Sequence, residues 1–162
     1  MLVSAAAAAE PIGRPATPEE IAAQDIDVRA DGAGLPPGQG SVAQGATLYA
    51  EACAACHGEK GQKPLIPAIR LTGGRGTLAS SEAIQTVGSY WPYATTLFDY
   101  IRRAMPFDAP QSMSDDQVYA VTAYVLNLNG IVPDGTTLDA RSLPAVQMPN
   151  RNGFIPVYRP QP

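Results

Sequence analysis

Histidine occurs once in the 162 residues and cysteine only twice. One imidazole excludes any centre built on two histidines, and two thiols with no second cysteine or histidine cluster cannot complete a four-ligand zinc site. No apolar run is long enough to span a bilayer, so no transmembrane segment is expected. A basic stripe is also missing, and with a formal net charge of −4 nucleic acid is not an expected partner. The chain lacks the βαβ pattern that would accompany a thioredoxin-like cysteine pair.

Proline is plentiful, and its distribution divides the chain. Of 16 prolines, 11 fall in residues 1–40 and 131–162, which are therefore expected as extended arms, while 41–130 reads as the compact domain. The length suffices for one domain with a real core. Residues 1–40 carry six acids against two bases, so the acidity belongs to the N-terminal arm, where solvation explains it. Met1-Leu2-Val3-Ser4 and the five alanines after it lack a basic n-region and a full apolar core, and read as the remnant of an export signal or a cloning scar.

All of the thiol and imidazole chemistry sits in five consecutive residues, Cys53-Ala54-Ala55-Cys56-His57. C-x-x-C-H is the attachment signature of a covalent c-type haem. Two cysteines three positions apart lie on one side of a helical turn, so both sulfurs reach the vinyl groups along one porphyrin edge. The next residue, His57, is then placed to bind the iron axially. A disulfide between Cys53 and Cys56 would close a very small, strained loop. Covalent haem attachment in bacteria takes place outside the cytoplasm, so the motif implies a periplasmic protein.

A first helix is expected from Ser41 or Val42 through Leu48 and Tyr49 into the motif, with Gly45 marking a close helix crossing. Residues 58–76 read as a loop able to wrap the proximal side of a haem. The carbonyl of Pro67 is the candidate acceptor for the second ring proton of His57. Arg75 of the same loop is a further candidate pocket residue. A short helix is expected around Ser80–Val87, capped by Ser80 or Ser81. In Tyr90-Trp91-Pro92-Tyr93, Trp91 and Tyr93 are candidate donors to haem propionates, with core packing the equal alternative.

Residues 94–105 form an amphipathic pattern through Leu97, Phe98, Ile101 and Met105, ended by Pro106. The last helix starts at Ser114, where Ser114-Asp115-Asp116-Gln117 fits a capping box. Val118, Val121, Val125 and Leu128 make an apolar stripe expected to pack on Gly45, until Asn129-Gly130 stops the helix.

With no second histidine, methionine is the natural sixth ligand, from Met105, Met113 or Met148. Met113 precedes a helix cap, where an apolar residue commonly staples onto the fourth helical position. Met148 lies in a proline-rich tail. Met105 stands at a helix end before an irregular loop, which favours it.

The motif, Met105-Pro106 and the terminal Val-Thr-Ala-Tyr124 resemble the small monohaem cytochrome c family. That resemblance implies Met105 as the distal ligand and an all-α fold of a few helices around one haem c. A wider likeness runs through Gly13-Arg-Pro-Ala-Thr-Pro-Glu-Glu, Asp25-Ile-Asp-Val-Arg, Thr86-Val-Gly-Ser-Tyr-Trp-Pro-Tyr-Ala, Ala104-Met-Pro-Phe-Asp-Ala-Pro and Met148-Pro-Asn-Arg-Asn-Gly-Phe-Ile-Pro. These segments resemble the cytochrome subunits of bacterial sulfane dehydrogenase and the cytochromes that accept electrons from molybdenum sulfite dehydrogenases. The likeness implies a one-electron carrier that receives electrons from such a molybdoenzyme and passes them to another cytochrome c or an oxidase. Sulfane dehydrogenase cytochromes can carry a second haem domain, whereas this chain has one C-x-x-C-H, so a sulfite dehydrogenase is the expected donor. The alternatives are the haem subunit of a sulfane dehydrogenase complex and a haem enzyme with an open sixth site.

Overall fold

Three helices bear most of the architecture, and each begins or ends where its local sequence dictates. The structure, a computed structural model, describes residues 13–64 and 70–155. Helix α2 (Val42–Ala52) is capped by Ser41, whose hydroxyl accepts from the Gln44 N–H while the Gln44 side chain accepts from the Ser41 N–H. Helix α4 (Ala94–Ala104) follows Pro92-Tyr93 and stops one residue before Met105-Pro106, because a residue preceding proline is forced out of the helical region. Helix α5 (Asp115–Leu128) has the reciprocal box between Ser114 and Gln117 and ends at Asn129-Gly130, with Gly130 at φ 64°.

Between α2 and α4 the motif forms its own short helix, α3 (Ala54–His57), and a 3-10 turn at Glu59–Gly61. The expected uninterrupted helix therefore breaks at Cys53, whose φ of −119° lies outside the helical range. The Cys53 carbonyl then accepts from both Cys56 and His57 N–H. The expected helix at Ser80–Val87 is absent; the segment is turns and irregular backbone. Hydroxyls there take the groups a helical ladder would use. Ser80 Oγ donates to the Thr77 carbonyl and accepts from Glu82 N–H, Thr77 Oγ1 accepts from Ile84 N–H, and Ser89 Oγ donates to the Ile84 carbonyl.

Helices α2 and α5 cross at Gly45. A Cβ there would lie 1.9 Å from the Ala120 carbonyl oxygen and 2.7 Å from Tyr124 Cβ, so only glycine admits this approach. The face of α5 that meets Gly45 is thus Ala120 and Tyr124, and not the valine stripe that the sequence suggests. Val118, Val121 and Val125 are buried in the core with Leu97, Phe98 and Ile101 of α4. Phe98 and Tyr119 are fully buried and meet at 4.4 Å between centroids, their rings tilted by 44°.

The N-terminal segment, expected as an extended arm, contains helix α1 (Pro18–Gln24), with a capping box between Thr17 and Glu20. Beyond α1 the segment lies along α4 and α5. Val28 N–H donates to Asp99, Thr95 donates to the Ala30 carbonyl, and Tyr119 donates to the Pro36 carbonyl. It ends in strand β1 (Gln39–Ser41), paired antiparallel with β2 (Thr137–Asp139) from the C-terminal segment, with Gly40 opposite Leu138. After β2, Leu143 and Met148 enter the core. Among the described residues no helix is long and apolar enough to cross a membrane.

Candidate functional site

The C-x-x-C-H run occupies the corner where α2 turns into α3. Cys53 is half-buried, Cys56 is exposed, and both are free thiols. Burial, with a smaller contribution from Cys56, pushes the Cys53 thiol up to about 11. His57 closes α3, and Gly58 at φ 78° then swings the backbone away from the helix axis. Tyr49, one helix earlier, donates from its hydroxyl to the Gly58 carbonyl at 3.0 Å, and its own burial pushes it up to about 12. The chain leaving His57 is also tied from the far side of the loop. The Gly61 carbonyl accepts from Leu71 N–H at 3.1 Å and from Thr72 Oγ1 at 3.2 Å. Pro67, the candidate acceptor for the imidazole, lies outside the described residues.

The three methionines occupy different settings. Met105 is the C-cap of α4, in extended conformation at φ −125° and ψ 145°, half-buried against the core and joined to Pro106 by a cis peptide. Phe107, two residues on, is 84 % exposed. Met113 is half-buried beside the cap of α5. Met148 is 3 % exposed within the core cluster. A side chain wholly taken up by core packing is a poor distal ligand, whereas Met105 sits at a helix end with an irregular segment after it.

The remaining candidates are spread over two regions. Trp91 packs edge-on against Tyr100, with centroids 5.7 Å apart. Tyr93 carries the Arg151 guanidinium 4.6 Å above its ring, and Asn150 donates to the Tyr90 carbonyl at 2.7 Å, so the C-terminal segment is anchored on this aromatic stretch. Arg75 stands at the C-terminal end of α5, where Nη2 donates to the Asn129 carbonyl at 3.0 Å, a favourable place for a cation on the helix dipole. The sequence reading missed Tyr49 and Asn129 as parts of this region. Tyr49 read only as a helix residue and Asn129 only as a helix stop, since the loop carbonyls that they bind are remote or irregular.

The donor set suits a covalent haem. Two free thiols stand three positions apart, one capping α3 and one within it, an imidazole follows them directly, and a half-buried thioether stands at a helix end. Leu48, Ala54, Leu71 and Trp91 pack against the core but are only partly covered by the protein, as residues lining an apolar cofactor would be. No group of three or more histidine, cysteine, aspartate or glutamate side chains is placed to hold a metal ion by itself among the described residues.

Comparison with known proteins agrees with this chemistry. Residues 42–129 match the family model described as Cytochrome c. A chain in the crystal structure of the sulfane dehydrogenase SoxCD from Paracoccus pantotrophus is 46 % identical, with a TM-score of 0.81, over 90 % of this chain and 71 % of that one. No curated protein matches.

Proposed function

The chain belongs to the cytochrome c family, and on that premise we propose that it is the periplasmic electron acceptor of a sulfur-oxidising molybdoenzyme of the sulfane dehydrogenase type. As a cytochrome c it carries one covalent haem c and serves electron transfer. The observation that supports the specific donor is the extent of the likeness. It runs beyond residues 42–129 into both terminal segments, which a general-purpose carrier of this family does not require.

When bound, the haem supplies a one-electron ferric/ferrous couple. Cys53 and Cys56 would hold it by thioether bonds, and His57 and Met105 would ligate its iron. A neutral imidazole and a thioether together favour the reduced state and suit a carrier that accepts electrons readily. Before the haem is attached, half-burial keeps the proton on Cys53 Sγ at neutral pH and so slows its oxidation. The protein performs no substrate chemistry itself; oxidation of the sulfur compound belongs to the donor.

The test is anaerobic reduction of the purified ferric protein, followed by visible absorption, with the molybdenum subunit of a sulfane dehydrogenase and a sulfane-sulfur compound that it oxidises. Rapid reduction is expected. A sulfite dehydrogenase with sulfite is the second arm, and the faster donor identifies the partner. Absence of reduction in both arms overturns the reading. The rival haem enzyme needs a displaceable sixth ligand. Fast carbon monoxide binding by the reduced protein at neutral pH would favour that rival over a carrier with Met105 on the iron.

A further inference from the structure

One side chain at the end of α5 meets two loops that are remote from each other in sequence. Asn129 Nδ2 donates to the Leu71 carbonyl at 3.1 Å and to the Val125 carbonyl at 2.9 Å. Its backbone carbonyl accepts from Arg75 at 3.0 Å. Its Oδ1 lies against Gly88, where a Cβ would approach to 2.2 Å. Gly88 belongs to the 87–90 turn, which continues into Trp91 and Tyr93.

Leu71 connects this node to the motif. Its N–H and the N–H of Thr72 bind the Gly61 carbonyl, and the Thr72 hydroxyl also reaches the Lys60 carbonyl at 3.3 Å. Gly61 lies four residues after His57, and Gly58 between them is fixed by Tyr49. The segment that leaves His57 is therefore pinned at Gly58 and Gly61, and the second pin passes through Leu71 to Asn129. Without Asn129 the Leu71–Thr72 strand keeps its bonds to Gly61 but has nothing to bind it to α5 at that carbonyl.

We propose that Asn129 is a positioning residue of the electron-transfer site: by binding Leu71 and Arg75 it fixes the return strand of the proximal loop, and thereby the orientation in which His57 is presented to the iron. The inference rests on His57 being the proximal ligand. Axial histidine orientation and the hydrogen bonding around it tune the potential of a haem, so a residue that sets them acts on the potential without touching the cofactor.

The experiment uses the haem-loaded full chain and three variants. Asn129→Ala removes the donor. Gly88→Ala puts a methyl group where Asn129 Oδ1 now lies and displaces the same side chain from outside. Asn127→Ala is the control, because Asn127 ties the other side of the α5 terminus to Val132 and Asp134, away from the proximal loop. Two quantities are read: the ferrous-to-ferric ratio at one fixed ambient potential, and the paramagnetically shifted proton resonances of the His57 ring.

Asn129→Ala and Gly88→Ala are expected to move the ring resonances and to change the ratio by at least about threefold. Asn127→Ala is expected to lower thermal stability only. Ring resonances and ratio both matching the unsubstituted protein in Asn129→Ala and Gly88→Ala overturn the inference. If Asn129→Ala does not fold, Gly88→Ala and Arg75→Gln, which removes a single bond of the node, decide it. An unsubstituted protein with no shifted His57 ring signals overturns the ligand assignment and this inference with it; unchanged signals across the variants overturn the inference alone.

Discussion

Replacing Gly45 by alanine sets two physical effects of known sign against each other. Alanine in a helix interior is favoured over glycine by about 1 kcal/mol, so propensity alone predicts a more stable protein. At this crossing, however, the new Cβ would stand 1.9 Å from the Ala120 carbonyl oxygen and 2.6 Å from its carbonyl carbon. Both are main-chain atoms and cannot rotate away. Restoring ordinary contact at 3.4 Å needs about 1.5 Å of extra separation between α2 and α5, which also pulls apart the Tyr49 and Tyr124 rings now 5.3 Å between centroids. Overpacking of this kind costs about 3 kcal/mol at the upper end of its usual range. The net expectation is a loss of about 2 kcal/mol, which for a chain of this size corresponds to a fall of roughly 4–8 °C in Tm. Thermal unfolding of the haem-loaded protein, followed by far-UV circular dichroism, measures it. A melting temperature equal to or above that of the unsubstituted protein would show that the two helices do not approach as closely as described.

Substituting Met105 by alanine should abolish the low-spin histidine–methionine spectrum, while Met113→Ala and Met148→Ala leave it intact; a spectrum lost with either of the latter moves the ligand there. Met148→Ala should instead lower stability by about 2–5 kcal/mol in urea unfolding, because the side chain is buried in the core. Phe98→Ala, which removes a fully buried ring packed against Tyr119, should cost about 3–5 kcal/mol in the same assay. Burial pushes the hydroxyls of Tyr49 and Tyr119 both up to about 12, from an ordinary value of 10.0. In unfolded chain they ionise first, so the stability they contribute is complete below pH 10 and is lost as pH rises towards 12. Urea midpoints should therefore fall between pH 9 and pH 11, and less steeply in Tyr119→Phe; a flat profile in the unsubstituted protein would contradict the burial of both hydroxyls.

Features written in short stretches of sequence were the legible ones. Ser114 with Gln117, Pro106 and the C-x-x-C-H run each act within four residues, and the helix ends follow them closely; the start of α2 at Ser41 or Val42 was placed as well, though not its Ser41–Gln44 box. Thr17-Pro18-Glu19-Glu20 carries the same kind of signal and does cap α1, although the surrounding prolines suggested an extended arm. What escaped was non-local or made by side chains. Strands of three residues are too short to show a period of two, so the β1–β2 pairing left no trace in the pattern. The Ser80–Val87 segment has acceptable helix residues, but its hydroxyls satisfy the backbone in turns. At the site, the thiols and imidazole were evident from spacing, while Asn129 and Tyr49 were not. Their partners are carbonyls, which every residue type presents alike.

Ser41 is both the last residue of β1 and the cap of α2, and it faces Thr137 in the ribbon. Val42 N–H, at the first turn of α2, donates to the Thr136 carbonyl at 3.0 Å. The helix that leads into the motif is thus finished by a strand made nearly a hundred residues later. At a synthesis rate of about 5–20 residues per second, roughly 5–20 s separate the emergence of the two. During that interval the first turn of α2 lacks its strand partner, so the corner that carries Cys53 is not finished until residues 137–139 are made, whereas Cys56 is exposed even in the completed fold.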